Sequence, residues 1–299
     1  MDTTDAFPSL GSSLRMHRPA PGIVAFYDGR MAGRRAYSAE PNWLDDGAYE
    51  LGVATYAIVS GEAALVYDTH ISPAHAAIVR RTLEELGVSD ITVVLSHWHR
   101  DHVAGNAVFA DRPILAQEET IAALTRERNT IEDGNPPIRP LVMPTRTVSD
   151  REVLTIGETA VEIRLVDIHS RDGTLLHLPD EGLLLAGDAL EDPITYVAEP
   201  DRLEAHLADL EKLAALAPKR ILPNHGAEAR IASGGFGPEL IDATRRYVER
   251  LLACRCDRRL AALPLRAFIA EDFESGAVEY FPPYEAVHAD NVRKVAGSS

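Results

Sequence analysis

Ser96-His97-Trp98-His99-Arg100-Asp101-His102 is the stretch that decides how this 299-residue chain is read. It places three imidazoles and a carboxylate between positions 97 and 102, all good ligands for a borderline divalent cation such as zinc. A tight turn can point alternate side chains to two sides, so that His97 and His99 hold one ion while Asp101 and His102 turn toward a second. Immediately upstream, Ile91 to Leu95 is a short apolar run of the kind found in strands covered on both faces. His97 therefore comes directly past the carboxyl end of a strand.

Working outward, Tyr56 to Asp68 reads as two strands around a Ser60-Gly61 turn. A helix follows, with Ser72 as its cap, Pro73 in its first turn, Ala76, Val79, Leu83 and Leu86 as its buried stripe, and Gly87 at its end. The strand-then-ligand arrangement recurs three times downstream. Val161 to Ile168 leads to His169, Leu183 to Ala186 leads to Gly187-Asp188, and Ile221-Leu222 leads through Pro223-Asn224 to His225. Strand ends in open α/β sheets are where ligands bind, so four separate segments can supply one site. Asp201 with Glu204 reads as a capping box for a helix carrying Leu203, Leu207, Leu210 and Leu213 on one face. A later helix is expected from Pro238, and Arg126 to Thr147, with its prolines, is expected to be a long loop. Alternating helices and strands point to layered α/β structure.

His97-x-His99-x-Asp101-His102 resembles the signature of the metallo-β-lactamase superfamily, in its dinuclear hydrolase branch. His169, Asp188 in Ala186-Gly187-Asp188, and His225 in Asn224-His225-Gly226 match the remaining ligands in order and context. The resemblance covers roughly residues 50 to 230 and implies an αββα sandwich. It implies that His97, His99 and His169 bind a first metal, that Asp101, His102 and His225 bind a second, and that Asp188 bridges them. Two divalent ions follow as cofactors, zinc first and iron or manganese as alternatives, with no organic cofactor. Bound metal brings the pKa of water toward neutrality, so the implied reaction is attack of a bridging hydroxide on a small ester, lactone, thioester or β-lactam-like amide. Asp101 is a candidate to orient the nucleophile or take its proton, and Tyr196 to donate to the developing oxyanion, as a tyrosine does in lactonases of the family. Asp68 stands where the family places a carboxylate that steadies the metal loop. The family's frequent Gly-His-Thr-Pro-Gly-His run is altered here to Ile168-His169-Ser170-Arg171-Asp172-Gly173, which weakens assignment to its common lactonase or thioesterase branches. An iron-dependent oxidoreductase on the same fold and a phosphodiesterase stay open as alternatives.

The rest of the sequence sets bounds. A net charge of −16 argues against nucleic acid and anionic membranes as partners, leaving a small-molecule substrate. No apolar run is long enough to span a bilayer, Met1 to Gly11 does not read as a secretory signal, and the two cysteines, Cys254 and Cys256, are poorly spaced for a structural disulfide, so a cytoplasmic location is expected. Residues 1–20 read as a flexible arm and 21–299 as one domain with a helical or irregular extension at about 238–299. Trp43 and Tyr280 to Tyr284 are candidates for pocket walls or for a homodimer surface. His70 and His75 read as ordinary polar residues, and His177 and His206 as structural histidines with satisfied hydrogen bonds.

Overall fold

The computed structural model describes residues 9 to 31 and 33 to 297. The chain falls into two compact units, Met1–Ile163 and Arg164–Ser299, a boundary inside the stretch read from sequence as one domain.

The first unit is built on a seven-stranded sheet in sequential order. Its chain runs β1 (Arg15–Ala20), β2 (Ile23–Asp28), β3 (Val53–Ser60), β4 (Ala63–Tyr67), α1 (Pro73–Glu85), β5 (Asp90–Val94), α2 (Arg100–Val103), β6 (Ile114–Ala116), α3 (Glu118–Arg126), α4 (Arg128–Glu132) and β7 (Arg146–Thr147). Strands β1 to β4 are antiparallel, and β4 to β7 run parallel. Because β4 and β5 point the same way, Asp68 and the His97 loop leave the sheet at the same edge. Helix α1 makes the crossover; Ser72 caps it by accepting from the backbone N–H of His75. It buries Ala76, Val79 and Leu83 in a core that also takes in Val66, Ile91 and Val93. Leu86 does not belong to that stripe: it is the C-cap and 43% exposed, because the helix ends before the position turns inward.

Two expectations in this unit are corrected. Residues 15–20, assigned to a flexible arm, form the edge strand β1, paired with β2 from Arg15↔Tyr27 to Ala20↔Ile23; residues 1–8 lie outside the described residues. The segment looks like a loose arm because residues 1 to 20 are rich in Pro, Ser and Thr, yet an edge strand tolerates polar residues and proline. Arg126 to Thr147 is not one long loop either, since it contains α4 and β7, with Trp43 Nε1 donating to the Pro136 carbonyl at 2.9 Å.

A hairpin of β8 (Val153–Ile156) and β9 (Thr159–Ile168) ends the first unit and begins the second. The second unit continues through β10 (Ser170–Leu178), β11 (Leu183–Gly187), α5 (Leu203–Ala215), β12 (Arg220–Pro223) and α6 (Glu228–Ala232). From there it is helical: α7 (Glu239–Ala253), α8 (Arg258–Ala261), α9 (Leu265–Phe268), α10 (Ala270–Ser275) and α11 (Tyr284–Gly297). The sheet order is β12-β11-β10-β9-β8, with β11 and β12 parallel and α5 between them in sequence. Gly187 and Pro223 are register partners, so Asp188 and His225 emerge from neighbouring strand ends. The proposed capping box is absent: α5 begins at Leu203 after a short 3-10 turn, with Arg202 as its N-cap and no side-chain cap bond, because Asp201 lies within that turn. Among the described residues no helix is long and apolar enough to cross a membrane.

Candidate metal centre

In the first unit the motif loop is fixed by one carboxylate. Asp68 sits just past β4, fully buried, in the left-handed region at φ 69°. Its Oδ1 accepts from the Ser96 backbone N–H at 2.6 Å, and its Oδ2 lies 2.7 Å from the Ser96 hydroxyl and 2.8 Å from His102 Nδ1. Tying the Nδ1 side of His102 to an acid directs Nε2 as the nitrogen it offers a cation, the usual pairing of metal-ligating histidines. His97 is held in the same way, its Nδ1 2.9 Å from the Ser96 hydroxyl, while its Nε2 meets His99 Nδ1 at 2.9 Å. The His97 and His102 rings stand 4.2 Å apart, and Asp101 Oδ2 comes within 3.5 Å of His102 Nε2.

The loop is packed directly against the Thr69 backbone and helix α1. The His102 carbonyl accepts from both the backbone N–H and the hydroxyl of Thr69, at 2.8 and 3.0 Å. At Gly105 the chain passes so close to the Thr69 carbonyl and the Ala76 side chain that a Cβ would collide with both. Only glycine fits there.

In the second unit His169 follows β9 at φ 69°, 4% exposed, with Nδ1 2.9 Å from the Tyr196 carbonyl. Asp188 follows Gly187, is 4% exposed, and has Oδ2 3.4 Å from His225 Nε2. The segment between them is ordered by its own side chains. Thr195 donates its hydroxyl to the Asp188 carbonyl at 2.5 Å, and the Asp192 backbone N–H donates to the His225 carbonyl at 3.1 Å. Asp192 in turn accepts from the backbone N–H groups of Ala227 (3.0 Å) and Glu279 (2.7 Å).

Glu191 belongs to this cluster although the sequence reading does not include it. It is 2% exposed, and His169, Asp188 and Glu191 each bring a ligand atom within 4.8 Å of the others. Its Oε1 accepts from the Tyr196 backbone N–H at 2.8 Å and lies 3.6 Å from His169 Nδ1, while Oε2 accepts from the Tyr284 hydroxyl at 3.0 Å. The only signal was a carboxylate in the otherwise apolar Ala189-Leu190-Glu191, three residues after Asp188.

Each unit thus carries buried imidazoles with Nδ1 tied down by the protein, His97 and His102 in the first and His169 in the second, beside candidate carboxylates Asp101 and Asp188. That donor chemistry fits a borderline divalent ion. The structure brings His97, His99, Asp101 and His102 together in one unit, and His169, Asp188 and His225 together in the other. Tyr196 lies beside His169, with ring centroids 5.8 Å apart. At Gly173, where the family often has a second histidine, the backbone lies against Val166, whose Cγ2 would be 2.8 Å from a Cβ.

The histidines away from this chemistry need correcting. His70 and His75 are fully buried, stacked at 4.6 Å, and His75 Nε2 lies 2.8 Å from Asp28 Oδ2. Burial, then the neighbouring His75, holds the His70 imidazole well below its ordinary range. Burial pushes the Asp28 carboxyl up, but the hydrogen bond and charge of His75 outweigh it and the group ends below its usual value. His206, expected to be satisfied, has neither ring nitrogen hydrogen-bonded among the described residues; Nε2 stays 3.8 Å from Asp167 Oδ1. Burial lowers its pKa to about 4.

The sequence model of the metallo-beta-lactamase superfamily matches residues 48–225. A beta-lactamase-like protein 2 homolog from Drosophila melanogaster is 28% identical over 177 residues, 58% of this chain and 59% of that protein. An atrochrysone carboxyl ACP thioesterase from Paecilomyces divaricatus is 28% identical over 223 residues, 73% of this chain and 65% of that protein. The matches thus span about three-fifths of the length of these relatives. Among solved structures, a metallo-beta-lactamase from Pontibacter korlensis superposes with a TM-score of 0.60 at 15% identity, covering 79% of this chain and 99% of that one. The mixed α/β architecture with two sheets is the fold they share.

Proposed function

Because the chain belongs to the metallo-β-lactamase superfamily, whose matched span of residues 48–225 contains all seven candidate ligands, we propose that it is a metal-dependent hydrolase of small acyl substrates. In this reading His97, His99 and His169 hold one divalent ion, Asp101, His102 and His225 hold a second, and Asp188 lies between them, with zinc as the metal. Glu191 is added as a brace on His169.

The observation that carries the reading is the treatment of three histidines. His97, His102 and His169 each have Nδ1 tied to the protein, by the Ser96 hydroxyl, the Asp68 carboxylate and the Tyr196 carbonyl. All three then offer the same nitrogen, Nε2. A solvated polar turn has no reason to fix its tautomers, whereas a metal site gains affinity from it.

Divalent ions bound there would supply a water acidified toward neutrality and polarise the scissile carbonyl. The protein's own groups do the rest. Asp101, whose Oδ2 lies 3.5 Å from His102 Nε2, would orient the attacking water and hold its proton. Tyr196 supplies a phenolic O–H beside His169 for the oxygen that gains charge. Burial of His97, His102, His169, Asp188 and His225 to 4% exposure or less strengthens each of these interactions by excluding bulk water.

Esters, lactones, thioesters and β-lactam-like amides share this chemistry. Thioesters come first, because the Paecilomyces divaricatus relative and one from Emericella nidulans are both named thioesterases. The test is a panel of thioester, lactone, β-lactam and phosphodiester substrates, assayed with chelated and zinc-reloaded protein. The expected result is acyl hydrolysis lost on chelation and restored by zinc. Faster cleavage of the phosphodiester, or turnover by the metal-free protein, would overturn it.

A further inference from the structure

Helix α11 lies outside the residues matched by the family, which end at 225, yet two of its side chains reach the segment that follows Asp188. Asn291 takes that segment from both sides. Its Oδ1 accepts from the Val197 backbone N–H at 2.8 Å, and its Nδ2 donates to the Thr195 carbonyl and to the Tyr247 hydroxyl, each at 3.0 Å. One turn on, Lys294 donates to the Tyr196 hydroxyl, to the Val197 carbonyl (3.1 Å) and to Asp290 Oδ2 (3.1 Å).

An ammonium has three hydrogens, and these three acceptors can take all of them. Lys294 is thus poorly suited to receive an anion itself. The consequence falls on Tyr196. A phenol has one hydrogen to donate, and when its oxygen accepts from an ammonium that hydrogen is left to point elsewhere. The adjacent positive charge makes it a stronger donor, because charge-assisted bonds polarise the next bond in the chain. The Lys294 ammonium also sits 3.8 Å from the centre of the Tyr196 ring, which holds the ring against rotation.

We infer that Lys294 is a positioning residue that acts through Tyr196: it occupies the phenolic oxygen so that the O–H donates to the acyl oxygen of the substrate as that oxygen gains charge. No proton is transferred and no bond to Lys294 forms. The inference rests on the hydrolase reading for its substrate but not for the pairing itself, and this sets the design of the test.

Single and double variants Y196F, K294M and Y196F/K294M are compared for kcat and KM on the best acyl substrate, with metal content and thermal unfolding measured alongside. Y196F is expected to lose kcat by roughly a hundredfold, the low end for removal of an oxyanion donor, and K294M by about tenfold with KM little changed. The decisive expectation is that K294M costs nothing further in the Y196F background. Additive losses, or no loss in K294M, would overturn the inference. Independently of any substrate, the 13Cζ resonance of labelled Tyr196 should move in K294M and K294Q; an unmoved resonance in both would show that the pair is not formed. If the wild-type protein hydrolyses no acyl substrate, the functional reading falls while this resonance still decides the pairing.

Discussion

The two regions that carry the candidate ligands are held in place by opposite means. In the first unit four candidate ligands lie within positions 97 to 102, and one buried acid just past the neighbouring strand, Asp68, fixes both the start and the end of the loop. In the second unit the candidate ligands are spread from 169 to 225, and the segment after Asp188 is held by several separate ties. Those ties come from Thr195, Asp192 and Glu191 within the segment, from Glu279 in the stretch before α11, and from Tyr284, Asn291 and Lys294 on α11. A compact motif has a single point of failure. A dispersed one shares the load, and its parts should fail by degrees.

The sharpest way to break this contrast is at Asp68. Asp68→Ala leaves the buried Ser96 N–H and the His102 ring without their acceptor, and metal affinity should drop 10- to 100-fold, read by competition with a chromogenic chelator. A loss below threefold would mean the loop does not depend on its acid. Tyr284→Phe removes one of the ties on Glu191, and the same assay should show less than a tenfold loss, the lower end of that range. An effect equal to that of Asp68→Ala would erase the distinction between the two regions.

Stability offers a second comparison. Leu83→Ala, in the core of the first unit, should cost about 2–5 kcal/mol in chemical denaturation, as for other buried leucines. His206, in the second unit, should instead reveal itself through pH. Its folded pKa is depressed to about 4 from 6.5, so the unfolded chain binds the proton first. Stability is then lost as pH falls from 6.5 toward 4, by an amount of order 3 kcal/mol. His206→Gln should flatten that part of the profile, and an unchanged acid limb would remove His206 from the explanation.

What the sequence made legible follows the same division. His97 to His102 could be read because short spacing makes a chemical cluster visible without a fold, and Asp188 and His225 because each follows an apolar strand. Glu191 could not be read this way, since one carboxylate after an apolar pair has no spacing to set it apart. The roles of Asn291 and Lys294 depend on a helix about a hundred residues beyond the segment it holds, which no local pattern encodes. The capping box failed for a related reason: Asp201 and Glu204 have the right spacing, but Pro200 starts a 3-10 turn that shifts the helix start to Leu203. At the edge, β1 was missed because polar, proline-containing strands at a sheet margin look like arms.

The most direct test of the two-metal hydrolase reading is a zinc titration of chelated protein, with bound metal and acyl hydrolysis measured at each step. Two ions per chain with full activity only after the second, and loss of both in Asp188→Ala, is the predicted result. Undiminished hydrolysis by the metal-free wild-type protein would contradict it.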